Sequence, residues 1–221
     1  MSAGFRAVLI LLSFLMVMPS CKSGPAKDDP LNVTHKVLFE TSEGSFTVAL
    51  YGNGMPETVR NFIQYVKDGF YNGLIFHRVV KGFVIQGGGF SEEMVQKDMR
   101  PPVKLEMPPL GEVEDESGKK VIKPLLAHEK YAISMARTRE VDSATSQFFI
   151  TLARTAQLDP KQGAGPNGYA VFGKIEQGFE VIDKIGAKPV ADKNGHQNVP
   201  VEPVKIIKAS VVFDSTVKES K

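Results

Sequence analysis

Arg78, Phe83 and Gln86 stand five and three residues apart on two β-rich stretches joined by Lys81-Gly82. On a pleated element that spacing can present all three to one face. A guanidinium and a carboxamide beside a phenyl ring make a pocket with an apolar floor and directed donors. Gln147 and Phe149 share strand parity, so both can point at the same surface. A site of this kind holds a planar five-membered ring and grips the adjoining peptide, and proline is its natural occupant. The chemistry it favours needs no nucleophile, metal or cofactor. An X–Pro bond rotates in tens to hundreds of seconds because rotation breaks amide resonance. In the twisted state the imide nitrogen becomes pyramidal and gains a lone pair. A donor aimed there binds the twisted state and not the planar one, which lowers the barrier selectively. Arg78 is the candidate donor.

Other patterns compete less well. Gly163 to Gly168 matches GxGxxG literally, but Pro166 interrupts it and no strand runs into it, so a dinucleotide loop is rejected. Ser143 and His77 permit a hydrolase triad on paper without any nucleophile elbow to support it. Phe148 and Phe149 are adjacent in one strand and face opposite sides, so one belongs to the core. His77 points away from Arg78 and reads as a core or supporting histidine. His196 falls in a polar loop and carries no signal. Gly87-Gly88-Gly89 reads as a bulge or a close backbone approach.

The elements that position these residues are mostly strands. His35–Ser42 and Ser45–Tyr51 flank a break at Glu43-Gly44, and Phe46, Val48 and Leu50 alternate with Thr47 and Ala49. Leu74–Val80, Phe83–Gln86, Tyr131–Ala136, Gln147–Leu152, Tyr169–Lys174 and Val204–Phe213 read the same way. In the last run Ile207, Ala209, Val211 and Phe213 fall on one face. Pro56-Glu57 opens a helix that Gly69 closes, and Phe179–Ile185 is a second, ending at Gly186. The fold class expected is mainly β: a closed eight-stranded antiparallel barrel capped by two α-helices, since closure removes exposed edges. Lys104–Glu129 reads as an inserted hairpin or long loop whose acidic cluster, Glu112–Glu116, is solvated and not metal-binding.

Composition narrows the classes. The 221 residues carry 27 Lys and Arg against 25 Asp and Glu, a net charge of +2, so no nucleic-acid footprint is indicated. The single cysteine excludes an internal disulfide and a multi-cysteine zinc site. Nothing calls for an obligate dimer, and a monomer is expected. That cysteine, Cys21, follows an apolar run from Ala7 to Met18, preceded by Arg6. Such a run reaches roughly 18 Å as a helix, short of a bilayer core of about 30 Å. With Ser20 before the cysteine, it looks like a bacterial lipoprotein signal over residues 1–20. Cys21 would be lipidated and anchor the chain to a membrane. Residues 21–33 would form a tether reaching at most about 40 Å. The folded domain spans 34–215, and 216–221 are a polar tail. The location expected is the cell envelope, on the periplasmic side of a bacterial membrane or at the cell surface.

Three stretches together carry a family resemblance: Phe76-His77-Arg78 through Phe83-Val84-Ile85-Gln86 to Phe90; Ser134-Met135-Ala136-Arg137 leading to Gln147-Phe148-Phe149-Ile150; and Tyr169 to Lys174. They resemble the cyclophilins, peptidyl-prolyl cis-trans isomerases, over about residues 34–215. The resemblance implies the barrel already inferred and isomerase activity on proline-containing polypeptide clients. It implies that Phe83, Val84, Phe149, Leu158 and Tyr169 contact the proline ring. Gln86 and the backbone around Ala136 and Arg137 hold the chain, with Gln147 supporting. Motif position assigns Phe149, not Phe148, to the site. Four positions differ from the best-studied eukaryotic members: Gln157 replaces Trp, Tyr169 replaces His, Val84 replaces Met and Arg137 replaces Asn. The first removes a rim contact on which cyclosporin leans, so poor cyclosporin sensitivity is expected. A rival reading from another class is a proline-binding or chaperone module with incidental isomerase activity, its partner site in Lys104–Glu129.

Overall fold

The protein is described here from a computed structural model covering residues 28–115, 117–160 and 168–216. The N-terminal signal, Cys21 and most of the tether and tail lie outside the described residues, as does most of the glycine-rich loop. The chain begins with a hairpin of β1 (His35–Thr41) and β2 (Gly44–Leu50). Its register sets Phe39 opposite Phe46, and their rings stack at 5.0 Å. Helix α1 (Pro56–Lys67) buries Val59, Phe62, Ile63 and Val66, one stripe at helical spacing. Its first turn has no local side-chain cap. The Glu106 carboxylate, from the inserted segment, accepts the backbone N–H of Glu57 and Thr58 at 3.1 and 2.8 Å.

There follow β3 (Arg78–Val80), β4 (Val84–Gly87), β5 (Leu110–Glu114), β6 (Lys120–Pro124), β7 (Ala132–Met135), β8 (Phe148–Thr151) and β9 (Val171–Gln177). Helix α2 (Phe179–Gly186) leads to β10 (Val190–Lys193), β11 (His196–Pro200) and β12 (Ile206–Asp214). Eight strands form one antiparallel sheet in the order β12-β1-β2-β9-β7-β8-β4-β3. The sheet is curled around a core in which Phe39, Phe46, Phe62, Tyr71, Phe76, Phe148 and Phe172 are buried. Its two ends meet through a short seam, not a full ladder. Gly73 N donates to Ile206 O at 2.8 Å, Ile206 N to Leu74 O at 2.7 Å, and Phe76 N to Val204 O at 2.9 Å. The expected eight strands and two helices are therefore present, with closure resting on this seam.

Three local expectations change. Leu74–Phe76 is spent on the seam, so the strand leading to the site starts only at Arg78. The alternation expected along β12 is broken by two extra residues. Thr41 pairs with Ile206 and Glu40 with Lys208, which skips Ile207; Val37 pairs with Val211 and Lys36 with Phe213, which skips Val212. Ile206 and Ala209 are buried in consequence, while Ile207 and Phe213 are exposed. His196 is not in a loop but opens β11, half-buried, with its ring edge-on to Phe90 at 5.0 Å. The inserted segment is a hairpin, β5 with β6. Two of its acids serve the arm itself: Glu112 pairs with Lys120 at 2.6 Å, and Asp115 accepts the N–H of Ser117 and Lys119 in the turn. Among the described residues no cluster has the ligands for a metal ion, and no helix is long and apolar enough to cross a membrane.

Candidate active site

On the outer face of β3, β4 and β8 lies a cavity of about 200 Å³ lined by Arg78, Phe83, Val84, Gln86, Ala136, Arg137, Phe149, Leu158 and Tyr169. Register brings these residues together. Arg78 is directly opposite Gln86 across β3 and β4, and Gln86 is directly opposite Phe149 across β4 and β8. Guanidinium, carboxamide and phenyl therefore form one row across three strands. Phe83 sits in the turn between β3 and β4, where its N–H donates to Val80 O and its carbonyl accepts Leu152 N. Phe148, one residue from Phe149, is fully buried in the core.

The polar side of the cavity is a relay of side chains. Arg78 Nη1 donates to Gln86 Oε1 at 3.4 Å, and Gln86 Nε2 donates to Gln147 Oε1 at 3.0 Å. Gln147 does not line the cavity. It stands one step behind, in an adjoining depression with Gln96, Met99 and Thr145. Gly89 makes that position possible, because a Cβ there would come within 2.7 Å of the Gln147 side chain. Gly88 is needed on two counts: its φ is +84°, and a Cβ would meet the Tyr71 ring at 2.9 Å. Arg78 has no ion-pair partner among the described residues, which leaves its charge available to an occupant.

The aromatic side is built differently. Phe149 and Tyr169 meet edge to face at 5.4 Å, and Arg137 lies over the Tyr169 ring at 4.9 Å. Arg137 is held there by two donations, Nε and Nη2, to Gly168 O at 3.1 and 2.9 Å. Beneath Phe149 lies His128, fully buried and stacked on it at 5.7 Å with an interplanar angle of 11°. Its Nδ1 meets Asp159 Oδ1 at 2.8 Å and its Nε2 meets Ser134 Oγ at 3.2 Å. Asp159 also accepts the His128 backbone N–H and the Arg154 guanidinium. Burial raises the Asp159 pKa, but the bonds from His128 and Arg154 outweigh it and hold the carboxyl at about 2. The line Ser134–His128–Asp159 has the connectivity of a hydrolase triad. Ser134 is wholly buried, so its hydroxyl reaches no substrate. The line is a brace for the aromatic wall.

The family model for cyclophilin type peptidyl-prolyl cis-trans isomerase/CLD matches residues 36–211. The chain belongs to the cyclophilin family. Peptidyl-prolyl cis-trans isomerase A of Dickeya dadantii is 47% identical over 179 residues, covering 81% of this chain and 85% of that protein. Peptidyl-prolyl cis-trans isomerase of Acinetobacter baylyi is 42% identical over 182 residues, covering 82% and 88%. Two solved cyclophilin structures share the fold. One from Cryptosporidium parvum has a TM-score of 0.61 at 24% identity, covering 81% of this chain and 98% of that one. AquaCyp293 from Hirschia baltica has 0.63 at 22% identity, covering 84% and 76%.

Within this cyclophilin, all the residues expected at the site stand around the cavity except Gln147, which supports from behind. Sequence reasoning missed His128 altogether. It lies in irregular chain before β7, with its partners 6 and 31 residues away, and nothing in its neighbours marks it. It also missed Phe90 as the plate between two histidines. His77 is buried as expected, with its ring against Phe90 at 4.7 Å.

Proposed function

We propose that this cyclophilin accelerates X–Pro rotation in the cavity bounded by Arg78 and Phe149, with Arg78 as the donor to the imide nitrogen. The observation that carries the reading is the row Arg78–Gln86–Phe149 across three strands: a cation without a carboxylate partner among the described residues, beside an apolar slot. A charge-assisted hydrogen bond there supplies about 1.5–3 kcal/mol. A million-fold acceleration needs about 8 kcal/mol. The remainder falls to the slot formed by Phe83, Val84, Phe149, Leu158 and Tyr169. A twisted imide has less charge separation than a planar one and is favoured in such a dry setting. Gln86 and the backbone at Ala136 and Arg137 hold the client chain.

The clients in this reading are exported polypeptides whose folding waits on proline isomerisation. The apolar run before Cys21 supports export, and the lone cysteine supports a lipid anchor in the cell envelope, with the domain acting as a monomer near the membrane. Exchange spectroscopy on a short proline peptide tests the activity. Arg78→Ala is expected to lower the exchange rate 10- to 100-fold while leaving the fold intact by circular dichroism; an unchanged rate removes the role given to Arg78. Mass spectrometry of the mature N-terminus tests the anchor: a diacylglyceryl mass on Cys21 supports it, and a free thiol overturns it.

A further inference from the structure

Past Arg78 the cleft opens into a second cavity, of about 500 Å³, whose floor is Phe90 and whose near wall is Arg78, Gln86 and Gln147. Its far wall is the tip of the β10–β11 hairpin, Gly195 to Gln197. That tip is fixed in place. The turn takes positive φ at Asn194 (51°) and Gly195 (81°), Lys193 Nζ donates to Glu92 O at 3.0 Å, and the His196 ring rests on Phe90. The polar side chains around the space are one guanidinium, two imidazoles and three carboxamides, with no carboxylate among them. Of the acids on the neighbouring chain, Glu92 pairs with Lys205 at 2.8 Å, the exposed Glu93 is bonded to Ser91, and the exposed Asp192 of the same hairpin lies outside the cavity lining. His77, on the inner wall, is held at about 4 by burial first and then by the neighbouring His196 and Arg78, as expected beside a positive field.

We propose that this second cavity is a subsite for an acidic client side chain within three residues of the proline, with His196 and Gln197 as its specificity-determining residues. The inference rests on the isomerase reading above, because the two cavities share Arg78 and Gln86. A client whose proline fills the first must run its flanking chain past the second. One residue of extended chain covers about 3.3–3.6 Å, so the neighbours of the proline are the ones that arrive. The carboxylate would accept from His196 and Gln197 in the field of Arg78, a charge no carboxylate of the described chain neutralises. Complementarity of this kind sets selectivity between clients more than overall affinity.

The test is a peptide panel with Glu, Gln or Lys placed in turn at the three positions on each side of one proline, measured as kcat/KM at low salt. At one or more positions Glu is expected to exceed Lys about 5- to 10-fold, with the gap narrowing as salt screens it. His196→Glu is expected to abolish or reverse that gap. Equal rates for Glu, Gln and Lys at all positions overturn the subsite, as does a preference that survives both His196→Glu and Gln197→Glu. A wild type inactive on the all-Gln peptide overturns the isomerase reading instead. In that case the Kd series for the same peptides, read from backbone amide shifts at Gly195–Gln197, decides the subsite alone: tighter Glu peptides sustain it, and indifferent ones remove it.

Discussion

Behind the aromatic wall of the proline cavity lies His128, with both ring nitrogens engaged; behind the polar wall lies His77, whose Nδ1 has no hydrogen-bond partner among the described residues. Both rings are buried, so the difference is one of wiring, not of exposure. Asp159 and Ser134 fix the plane of His128, and the stacked ring passes that plane to Phe149. A slot that must fit a flat proline ring gains from a wall that cannot tilt. His77 has no such partner among the described residues and, held neutral by burial, rests its ring against Phe90. On that side the functional side chains are long, and they are ordered by bonding to one another. One wall is braced from behind by a charged, hydrogen-bonded support; the other is ordered by the bonds its own side chains make to one another. That division suits an enzyme that must hold a ring still while the peptide attached to it turns.

The comparison breaks most visibly at His128. Replacing it by Leu removes two buried side-chain bonds, leaving Ser134 Oγ without its ring partner and Asp159 Oδ1 with only the backbone N–H of residue 128. The expected cost is about 3–4 kcal/mol of stability, read as a shift in the urea midpoint. At temperatures where the variant stays folded, kcat is expected to fall several-fold with KM little changed, since Phe149 loses its backing but not its surface. A loss confined to stability would mean that His128 braces the core alone.

A smaller effect distinguishes the second histidine through pH. Burial depresses His77 to about 4, against about 6.5 in an unfolded chain. Between those values the unfolded state binds a proton that the native state does not, so stability falls as the pH drops from about 6.5 to about 4 and levels off below. The full difference is at most about 3 kcal/mol. His77→Phe is expected to flatten that limb while leaving the descent below pH 4, where Asp159, held at about 2, gives up its contribution as it protonates. Denaturant melts at pH 7, 5.5 and 4.5 check the sign; a wild-type limb that rises on acidification contradicts a desolvated His77.

How far the sequence carried depends on which bonds were local. The row Arg78, Phe83, Gln86 and Phe149 was legible because strand parity and a two-residue turn place those residues whatever surrounds them. The hairpin at Glu43-Gly44 and the helix at Pro56 follow from equally short-range rules. His128 was illegible because its meaning lies in Asp159, Ser134 and Phe149, which reach it only after β7 and β8 pair. The exposed Ile207 was illegible because a single extra residue in β12 inverts a parity that the sequence alone shows as regular. His196 looked idle for the same reason: its partner, Phe90, is more than a hundred residues away in the chain.

The finest division concerns the two glutamines of the polar wall. If the relay acts by aiming Arg78, then Gln86, which bonds to the guanidinium, must matter more than Gln147, which bonds to Gln86 and not to the guanidinium. Gln86→Ala frees the Arg78 side chain to sample other rotamers, and an ordering cost of about 1 kcal/mol must then be met on each turnover. That corresponds to a drop in kcat/KM of about 5-fold, carried by kcat. Gln147→Ala leaves the Arg78–Gln86 contact in place and is expected to cost about 2-fold or less. The coupling is checked in the Arg78→Ala background, where Gln86→Ala should have almost no further effect on kcat if it aims the guanidinium, its grip on the client chain showing in KM alone. Should Gln147→Ala prove the more damaging, with the loss in KM, Gln147 would grip the client chain alongside Gln86, and Arg78 would owe its aim to the slot and not to its neighbours.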